Sequence, residues 1–205
     1  MEKPKFRIGF DVNGVLRDTI GKITQTYEKF YLLKTDGIED DDTFEYEMNL
    51  PVVSLELKDH FKFKDDNDLY SFLYEEFAME IFGHAQSSEY STFNDLQQIY
   101  LNYREDNDLI IVSDEIGKSK PATLFFLSKF ICQLEKIKFY SNVTINSMWD
   151  EIDVLLTSNP ALLLNKPSDK IIVKYETEYN KEIESENTIK TLKEFDDKLK
   201  ELLKC

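Results

Sequence analysis

The sequence predicts an α/β fold in which helices cover both faces of a parallel sheet and one long segment is inserted. Short, fully apolar runs such as 109–113 alternate with amphipathic segments, which is typical of parallel strands buried on both faces. The segment 36–108 interrupts this alternation with an acidic stretch and aromatic-rich stretches of helical period. The 205 residues are enough for one domain with a full core and a modest insertion.

The elements of the core follow in order from local patterns. Residues 5–11 predict a buried strand that stops at Asn-Gly, and 18–33 predict a helix whose apolar residues share one face. In the last predicted helix, 187–203, the apolar residues again form one stripe. The remaining strands are predicted at 109–113, 136–141, 153–156 and 170–175, and the remaining helices at 120–134 and 146–152.

These predictions divide the chain into two parts. The α/β core comprises residues 1–35 and 109–205, and the mostly helical cap comprises residues 36–108. Aromatic-rich stretches within the cap are helical by their period, and a short strand or hairpin at 52–63 is an alternative for part of it.

The net charge of −15 restricts the partners of this chain. Such a surface repels the phosphates of nucleic acids and anionic lipid headgroups, so we expect neither nucleic-acid nor membrane binding. The first residues lack the apolar region of a secretory signal, and no apolar stretch is long enough to span a bilayer. Two cysteines, Cys132 and Cys205, are too few for a cysteine zinc site, and we interpret Cys132 as a packing residue. We therefore expect a cytoplasmic protein.

Polar side chains stand directly after several predicted strands. In a parallel sheet covered on both faces, a ligand site lies beyond the carboxyl ends of the strands. We therefore expect these side chains to meet at one edge of the sheet, although the Asn-Gly step alone could also be a simple turn. The residues placed there are Asp11, Asn13, Gly14, Ser113, Asp114, Thr157 and Ser158.

The motifs at these strand ends resemble those of the haloacid dehalogenase-like superfamily. Its members open with Asp-x-Asp-Gly after the first strand, which "DVNGV" matches at Asp11 and Gly14, and they place a Ser or Thr after an apolar strand, as "LIIVS" does at Ser113. More narrowly, "DVLLTSNPALL" followed by "IIVKYETEYN" resembles the tail of 5'-deoxyribonucleotidase-type members. The resemblance spans nearly the whole chain and implies a Rossmann-like parallel sheet with a cap.

The resemblance also implies roles for individual residues. The counterpart of Asp11 attacks phosphorus and binds Mg²⁺, while position 13 supplies an acid/base side chain and a backbone carbonyl for the metal. The counterpart of Ser113 binds the transferred phosphoryl group. Two aspartates after the fourth strand, at the positions of Thr157 and Ser158, complete the metal site.

The acidic groups of this pattern are degenerate in the present sequence. Asn13 cannot exchange a proton as a carboxylic acid does, and general acid–base help is worth roughly 10²–10⁴-fold in rate. Thr157 and Ser158 bring hydroxyls where carboxylates would hold Mg²⁺. The lysine expected between the third and fourth strands is missing, and Lys118 and Lys120 are candidates to replace it from another direction.

An alternative register would keep a metal-binding acid. If the fourth strand were misplaced, Asp150, Glu151 or Asp153 could supply it. The run "VLLTSNP", however, indicates a strand that leads into a turn, with Asp153 before the strand.

Three functions remain open from the sequence. The favoured one is a haloacid dehalogenase-like pseudoenzyme that has lost phosphatase activity and uses no cofactor. It would act as a binding or assembly component with protein partners or as a homo-oligomer, for instance within a viral complex, where it would be virion-associated. The second is a Mg²⁺-dependent phosphoric monoester hydrolase, similar to a 5'-nucleotidase, with Asp11 as nucleophile. The third is a sensor that binds a small phosphorylated ligand without turnover.

Overall fold

The computed structural model of the chain describes residues 5–33, 45–141 and 144–203. It confirms the predicted fold class, because six parallel strands form one sheet in the order β3-β2-β1-β4-β5-β6. Cys205 and the first residues of the predicted cap lie outside the described residues. The strands are β1 (Arg7–Asp11), β2 (Asp108–Ser113), β3 (Lys136–Phe139), β4 (Val154–Thr157), β5 (Ile171–Tyr175) and β6 (Thr188–Ile189).

Helices follow or precede each strand, as the alternating pattern predicts. Single turns of π-helix, which are wider than α-helical turns, continue α1 at Glu28–Leu32 and α2 at Phe72–Glu76, and another lies at Met79–Gly83. The α-helices are α1 (Thr19–Tyr27), α2 (Asp66–Ser71), α3 (Thr92–Tyr103), α4 (Ser119–Lys129), α5 (Ile145–Glu151), α6 (Pro160–Leu164) and α7 (Leu192–Leu202).

The sheet is buried on both faces by alternating side chains of its strands. On one face, β1 and β4 contribute to a large cluster with α3, α4 and α7, in which the rings of Phe10 and Phe195 meet edge to face at 5.5 Å. On the other face, Leu155 of β4 packs with Trp149 of α5 and Leu162 of α6. Burial on both sides explains why the inner positions of β1 and β4 are apolar. Cys132 packs against the first cluster, in agreement with its interpretation as a packing residue.

The last helix begins later than predicted. Residues Thr188–Ile189 form β6, which pairs with the end of β5, and α7 starts only at Leu192. Thr191 caps this helix by accepting a hydrogen bond from the amide of Glu194, whose carboxylate in turn accepts one from the amide of Lys190. This reciprocal cap fixes the start of the helix after the strand, which the apolar stripe alone could not indicate.

The cap has an aromatic core of its own. The ring of Tyr27, in α1, lies 5.1 Å from that of Phe61 and 5.3 Å from that of Phe63. Ala122 of α4 joins the same cluster, so α1 and α4 connect cap and core. By contrast α3, which the predicted boundaries assign to the cap, packs Leu96 and Ile99 into the cluster of the sheet.

The alternative of a strand or hairpin at 52–63 is not what the structure shows. This segment contains a single turn of 3-10 helix at Leu57–Asp59. The strand-like pairing described for it is one isolated β-bridge, between Met48 and Phe61. Among the described residues, none of the helices combines the length and the apolarity that a membrane crossing requires.

Candidate functional site at the end of β1

The predicted strand-end residues meet where the order of the sheet reverses. β1 pairs with β2 on one side and with β4 on the other, so the carboxyl ends of these three strands lie together. This topological switch point is the usual ligand site of open α/β sheets. Asp11 ends β1, Ser113 ends β2 and Thr157 ends β4.

Asp11 lies at the centre of this arrangement and is 5% exposed. The hydroxyl of Thr157 donates to its Oδ2 atom at 2.6 Å, and the amide of Asn13 donates to its Oδ1 atom at 3.3 Å. Burial and the nearby carboxylate of Asp114 raise the pKa of Asp11 well above its usual range, although the hydrogen bond from Thr157 acts in the opposite direction. Asp11 is therefore a carboxyl group with little to stabilise its charge.

Asn13 is held by hydrogen bonds at both ends of its amide. Its Oδ1 atom accepts from the Nη2 atom of Arg17 at 2.6 Å and from the hydroxyl of Thr19 at 2.7 Å. Its Nδ2 atom donates to Asp114 at 2.8 Å and to Glu115 at 3.0 Å. The side chain of Asn13, to whose position the resemblance assigns the acid/base, is thus a structural amide that links the turn after β1 to the turn after β2.

Arg17 is the basic centre of this network and is fully buried, with 0% of its surface exposed. It forms a close ion pair with Glu115, and its Nη1 atom donates to the carbonyl oxygen of Phe82 and to the hydroxyl of Thr123, both at 2.8 Å. The guanidinium carbon also lies 5.0 Å from the centre of the Phe82 ring. Arg17 therefore joins the turn after β1 to the cap and to α4.

Ser158 reaches the same turn from the end of β4. Its hydroxyl donates to the backbone carbonyl of Asn13 at 2.9 Å and lies 2.7 Å from the hydroxyl of Tyr179. The side chain of Asn180 donates to the carbonyl of Ser158 at 2.8 Å. Gly14 has φ +73°, and a Cβ atom there would lie 2.0 Å from the Tyr179 hydroxyl. Glycine is therefore required for this close approach.

The second strand end carries three polar residues in a row. Ser113 is buried, and the amide of Glu115 lies 3.5 Å from its hydroxyl. Asp114 is exposed, whereas Glu115 is 2% exposed. Burial raises the pKa of Glu115, and the charge of Arg17 opposes that shift.

The two candidate lysines point elsewhere. The ammonium of Lys118 lies 3.5 Å from the carbonyl oxygen of Glu75, and that of Lys120 lies 5.5 Å from the centre of the Phe139 ring. Neither side chain lines the cavities around Asp11. The reason is their position at the start of α4, where Lys118 is the residue before the helix and Lys120 lies in its first turn, beyond the turn that carries Asp114 and Glu115.

The alternative register for the metal acid is wrong. Asp153 precedes β4 and forms an ion pair with Arg7 at 2.6 Å, at the opposite edge of the sheet from Asp11. Glu151 pairs with Lys138 at 2.7 Å. Because β4 runs from Val154 to Thr157, its carboxyl end places Thr157 and the residues after it near Asp11, and Asp150, Glu151 and Asp153 lie before the strand.

Two adjoining cavities open at the site. The first, of about 230 Å³, lies between Asp11 and apolar side chains of α1 and the cap, and the second, of about 660 Å³, lies beside it. They share Gly14, Thr19, Ile20 and Tyr179. Within the described part of the chain, every charged residue that lines them is acidic. These residues are Asp11, Asp114 and Glu115 in the first cavity and Asp18 and Glu178 in the second.

The donor set fits Mg²⁺ poorly. Magnesium prefers carboxylate and other oxygen ligands in octahedral geometry. Here the hydroxyls of Thr157 and Ser158 direct their protons at Asp11 Oδ2 and at the Asn13 carbonyl, the two groups that the resemblance assigns to the metal. Among the residues that the structure describes, no three His, Cys, Asp or Glu side chains are grouped so that they could hold a metal ion.

Sequence reasoning missed three members of the site. Arg17 and Glu115 are ordinary surface residue types, and they are 98 positions apart in the chain. Tyr179 belongs to the Tyr-Asn pair of the resemblance, but nothing in the sequence indicated its contact with Ser158. The only available signal for Glu115 was its position two residues after the end of a predicted strand.

Comparison with known proteins identifies the fold. Two solved structures that cover nearly all of this chain are haloacid dehalogenase-like hydrolases. The structure from Burkholderia xenovorans LB400 has a TM-score of 0.58 at 12% identity, and the match covers 98% of this chain and 99% of the other. The structure from Streptococcus pneumoniae has a TM-score of 0.56 at 12% identity, and the match covers 95% of this chain and 98% of the other.

A third structure agrees with these two. A haloacid dehalogenase-like family hydrolase from Xanthomonas campestris has a TM-score of 0.53 at 10% identity, with 97% of this chain and 96% of its own covered. The sequence itself matches no protein-family model and no curated protein. The protein thus has the haloacid dehalogenase-like fold, whereas its narrower similarity to 5'-deoxyribonucleotidase-type members stays a prediction.

Proposed function

We propose that this protein does not hydrolyse phosphate esters and acts as a binding or assembly component with protein partners or with further copies of itself. The observation that supports this best is the pair of hydroxyl groups after β4. Thr157 and Ser158 direct their protons at Asp11 and at the carbonyl of Asn13, where Mg²⁺ would need anionic or lone-pair ligands.

The charge of the cavities supports the same proposal. A phosphate ester would enter two cavities whose charged lining residues, in the described chain, are all carboxylic acids. Arg17 does not line them, since its guanidinium is buried among five acceptors. Repulsion between the acids and a phosphate therefore disfavours both hydrolysis and the sensing of a phosphorylated ligand.

The cap offers a surface for the proposed binding role. Leu50, Val53 and Leu55 are 50%, 50% and 40% exposed, and Leu50 and Leu55 border the two cavities. Clustered exposed apolar side chains are typical of interaction sites. Size-exclusion chromatography with light scattering measures self-association, and Val53→Ser should weaken it if this segment is the contact.

A phosphatase assay tests the loss of chemistry. The full chain is incubated with Mg²⁺ and p-nitrophenyl phosphate or nucleoside monophosphates, beside Asp11→Asn and an active phosphatase as positive control. We expect the wild type to release no more phosphate than Asp11→Asn. Turnover that Asp11→Asn abolishes would contradict the proposal.

The second candidate is a slow Mg²⁺-dependent phosphoric monoester hydrolase. It is favoured by one observation, the position of Asp11 and Ser113 at the ends of paired strands, with Asp114 close enough to influence the charge of Asp11. Beryllofluoride mimics an aspartyl-phosphate, so its Mg²⁺-dependent binding at Asp11 would support this candidate. Failure of both beryllofluoride and Mg²⁺ to bind would remove it.

A further inference from the structure

The turn after β1 contains the only Asn-Gly pair of the sequence, at Asn13 and Gly14. Asparagine followed by glycine is the dipeptide that loses its side-chain amide most readily. The reason is that glycine has no side chain to hinder its backbone nitrogen, and its backbone is the most mobile of all residues in an unfolded chain. A chemically reactive pair therefore lies at the centre of the candidate site.

The deamidation of this pair would need water alone as a reactant. The backbone nitrogen of Gly14 gives its proton to water or hydroxide and attacks the Cγ atom of Asn13. A bond between these two atoms forms, the bond from Cγ to Nδ2 breaks, and the amide group takes up a proton and leaves as ammonia. Water then opens the succinimide ring at either carbonyl, which leaves aspartate or isoaspartate at position 13.

The folded protein holds the nucleophile of this reaction away from its target. The amide of Gly14 donates to the carbonyl oxygen of Arg17 at 2.9 Å. The carbonyl oxygen of Asn13 belongs to the same peptide group and accepts from the hydroxyl of Ser158 at 2.9 Å. Both ends of this peptide group are therefore fixed, and the nitrogen stays with its acceptor as long as the turn is closed.

The folded protein also holds the side chain that would be attacked. An asparagine side chain offers two acceptor sites and two N–H donors. In Asn13 the oxygen accepts from Arg17 and Thr19, and the nitrogen donates to Asp114 and Glu115. Movement of the amide toward the next backbone nitrogen would break these four hydrogen bonds. Reaction therefore requires an opening of the turn.

The products would not fit the closed turn. A carboxylate at position 13 has no N–H to give to Asp114 and Glu115, so it would face two further acids. Isoaspartate would in addition lengthen the main chain by one carbon atom before Gly14, whose Cα atom lies close to Tyr179. A chain that is modified while it is unfolded would therefore regain a less stable structure.

We propose that Asn13 is a deamidation site that the folded protein protects and the unfolded chain exposes, so that modification there makes unfolding irreversible. Chemical modification of an unfolded chain is a general route to irreversible unfolding. The inference goes beyond the proposed function and does not rest on it, because the reaction uses water and needs neither Mg²⁺ nor a partner.

Mass spectrometry of the full chain tests this proposal. The protein is kept at mildly alkaline pH with and without enough urea to unfold it, and trypsin then releases residues 8–17 as one fragment between Arg7 and Arg17. We expect aspartate and isoaspartate to form at position 13 at least about tenfold more slowly without urea, since the open state is rarely populated. Equal rates, or no reaction at position 13 in urea, would overturn the proposal.

Exchanges around Asn13 link the protection to its contacts. Thr19→Val removes one hydroxyl donor to the Asn13 oxygen and should accelerate deamidation without urea by about fivefold, the effect of one hydrogen bond. Arg104→Ala, at an exposed arginine, should leave the rate unchanged. In urea all three proteins should react at the same rate. A Thr19→Val rate equal to that of the wild type in both conditions would contradict protection by this network.

The effect of the product can be measured on a variant. Asn13→Asp should unfold at a lower urea concentration than the wild type at alkaline pH, because Asp114 and Glu115 repel the new carboxylate. Such repulsion raises the folded pKa of an acid, so the deficit should shrink as the pH falls and the acids bind protons. Asn94→Asp, on the exposed side of α3, is the matched control and should not lower the midpoint. An Asn13→Asp midpoint as high as that of the wild type at every pH would overturn the claim of irreversibility.

Discussion

Arg17 and Glu115 form an ion pair in which both side chains are almost completely buried, at 0% and 1% exposed. Arg17 follows the turn after β1, and Glu115 follows the end of β2, so the pair joins the two loops that frame the site. Such pairs are costly to desolvate, and they fix geometry only while both partners are present. The stability of the fold and the shape of the candidate site therefore depend on the same contact.

Removal of Arg17 should strongly destabilise the protein. Arg17→Met leaves the carboxyl group of Glu115 buried without its counter-charge, and we expect a loss of about 3–5 kcal/mol in the free energy of unfolding. Urea denaturation measures this loss. Arg104→Ala, an exposed arginine that lies over the ring of Tyr100, is the control and should change stability by less than about 0.5 kcal/mol.

A compensating exchange separates charge from packing in this pair. Arg17→Met combined with Glu115→Leu should recover the part of the lost stability that comes from the unpaired charge of Glu115, because neither charge of the pair remains. The hydrogen bonds of Arg17 to Phe82, Thr123 and Asn13 are not restored. A loss below about 1 kcal/mol for Arg17→Met alone would mean that the pair contributes no more than a surface contact.

Asp11→Asn should stabilise the protein at neutral pH. The folded state raises the pKa of Asp11 above the reference value of 3.8, because the side chain is buried near Asp114. An acid with a raised folded pKa binds its proton more tightly in the folded than in the unfolded state, so its ionisation reduces stability as the pH rises above 3.8. We expect a gain of about 1 kcal/mol for Asp11→Asn at pH 8.

The pH dependence is the diagnostic part of this prediction. The difference between Asp11→Asn and wild type, measured as urea midpoints, should be largest above neutrality and vanish below about pH 4, where both states bind the proton. Equal stability of the two proteins across this range would mean that burial of Asp11 is fully compensated.

Thr157→Asp should convert the end of β4 into a Mg²⁺-dependent element. The new carboxylate would lie beside that of Asp11, where the Thr157 hydroxyl now lies at 2.6 Å. Without metal, the two like charges should lower Tm. With Mg²⁺ at about 100 times its Kd, the variant should regain about 2.7 kcal/mol.

The neutral isostere controls for shape in that experiment. Thr157→Asn places a side chain of the same size at the same position without the charge, and its Tm should not respond to Mg²⁺. The wild type should not respond either, since hydroxyl protons face the Asp11 and Asn13 oxygens, which the resemblance assigns to the metal. A Mg²⁺-dependent rise in wild-type Tm would contradict this account of the site.

Gly14→Ala should destabilise the turn after β1 more than Gly117→Ala destabilises its own turn. Both glycines have positive φ, +73° and +52°, but an added Cβ atom meets Tyr179 and Ser158 at position 14 and open space at position 117. We expect about 1 kcal/mol for Gly117→Ala from backbone strain, and about 2–4 kcal/mol for Gly14→Ala, where crowding adds to strain.

A double exchange assigns the additional loss to the hydroxyl of Tyr179. A Cβ atom at position 14 would lie only 2.0 Å from that oxygen, so Tyr179→Phe should reduce the effect of Gly14→Ala. Thermal or urea unfolding of the two single variants and the double variant gives the coupling energy. Strict additivity would show that the Tyr179 hydroxyl is not the source of the conflict and would leave the Ser158 hydroxyl, 2.2 Å from the added Cβ atom, and the backbone strain.

The sheet could be predicted because its strands are marked in the sequence itself. The runs 109–112 in β2 and 154–156 in β4 are apolar, and each is followed by a hydroxyl residue, Ser113 or Thr157. The meeting of Asp11 with Thr157 follows from the parallel order alone, since the strand ends share one edge. The parts of the site attached to strands were therefore accessible from the sequence.

The parts that could not be predicted depend on distant contacts. The burial of Arg17 depends on Phe82 and Thr123, which lie 65 and 106 positions away. β6 was missed because two residues are too few to show a strand period. The start of α4 was predicted to within one residue, but the sequence could not show that Lys118 and Lys120 would turn to Glu75 and to the ring of Phe139. In each case the local pattern is satisfied by several conformations, and tertiary contacts select one.

The amide of Asn13 has a consequence for how this protein could change over time. Its oxygen receives two donors and its nitrogen serves two acids. A carboxylate at position 13 would replace the two hydrogen bonds from the Asn13 nitrogen to Asp114 and Glu115 by repulsive contacts between carboxylate oxygens. An acid introduced at position 13 would therefore be accommodated only together with an exchange at Asp114 or Glu115, so that two substitutions, and not one, are needed to place a carboxylate in this turn.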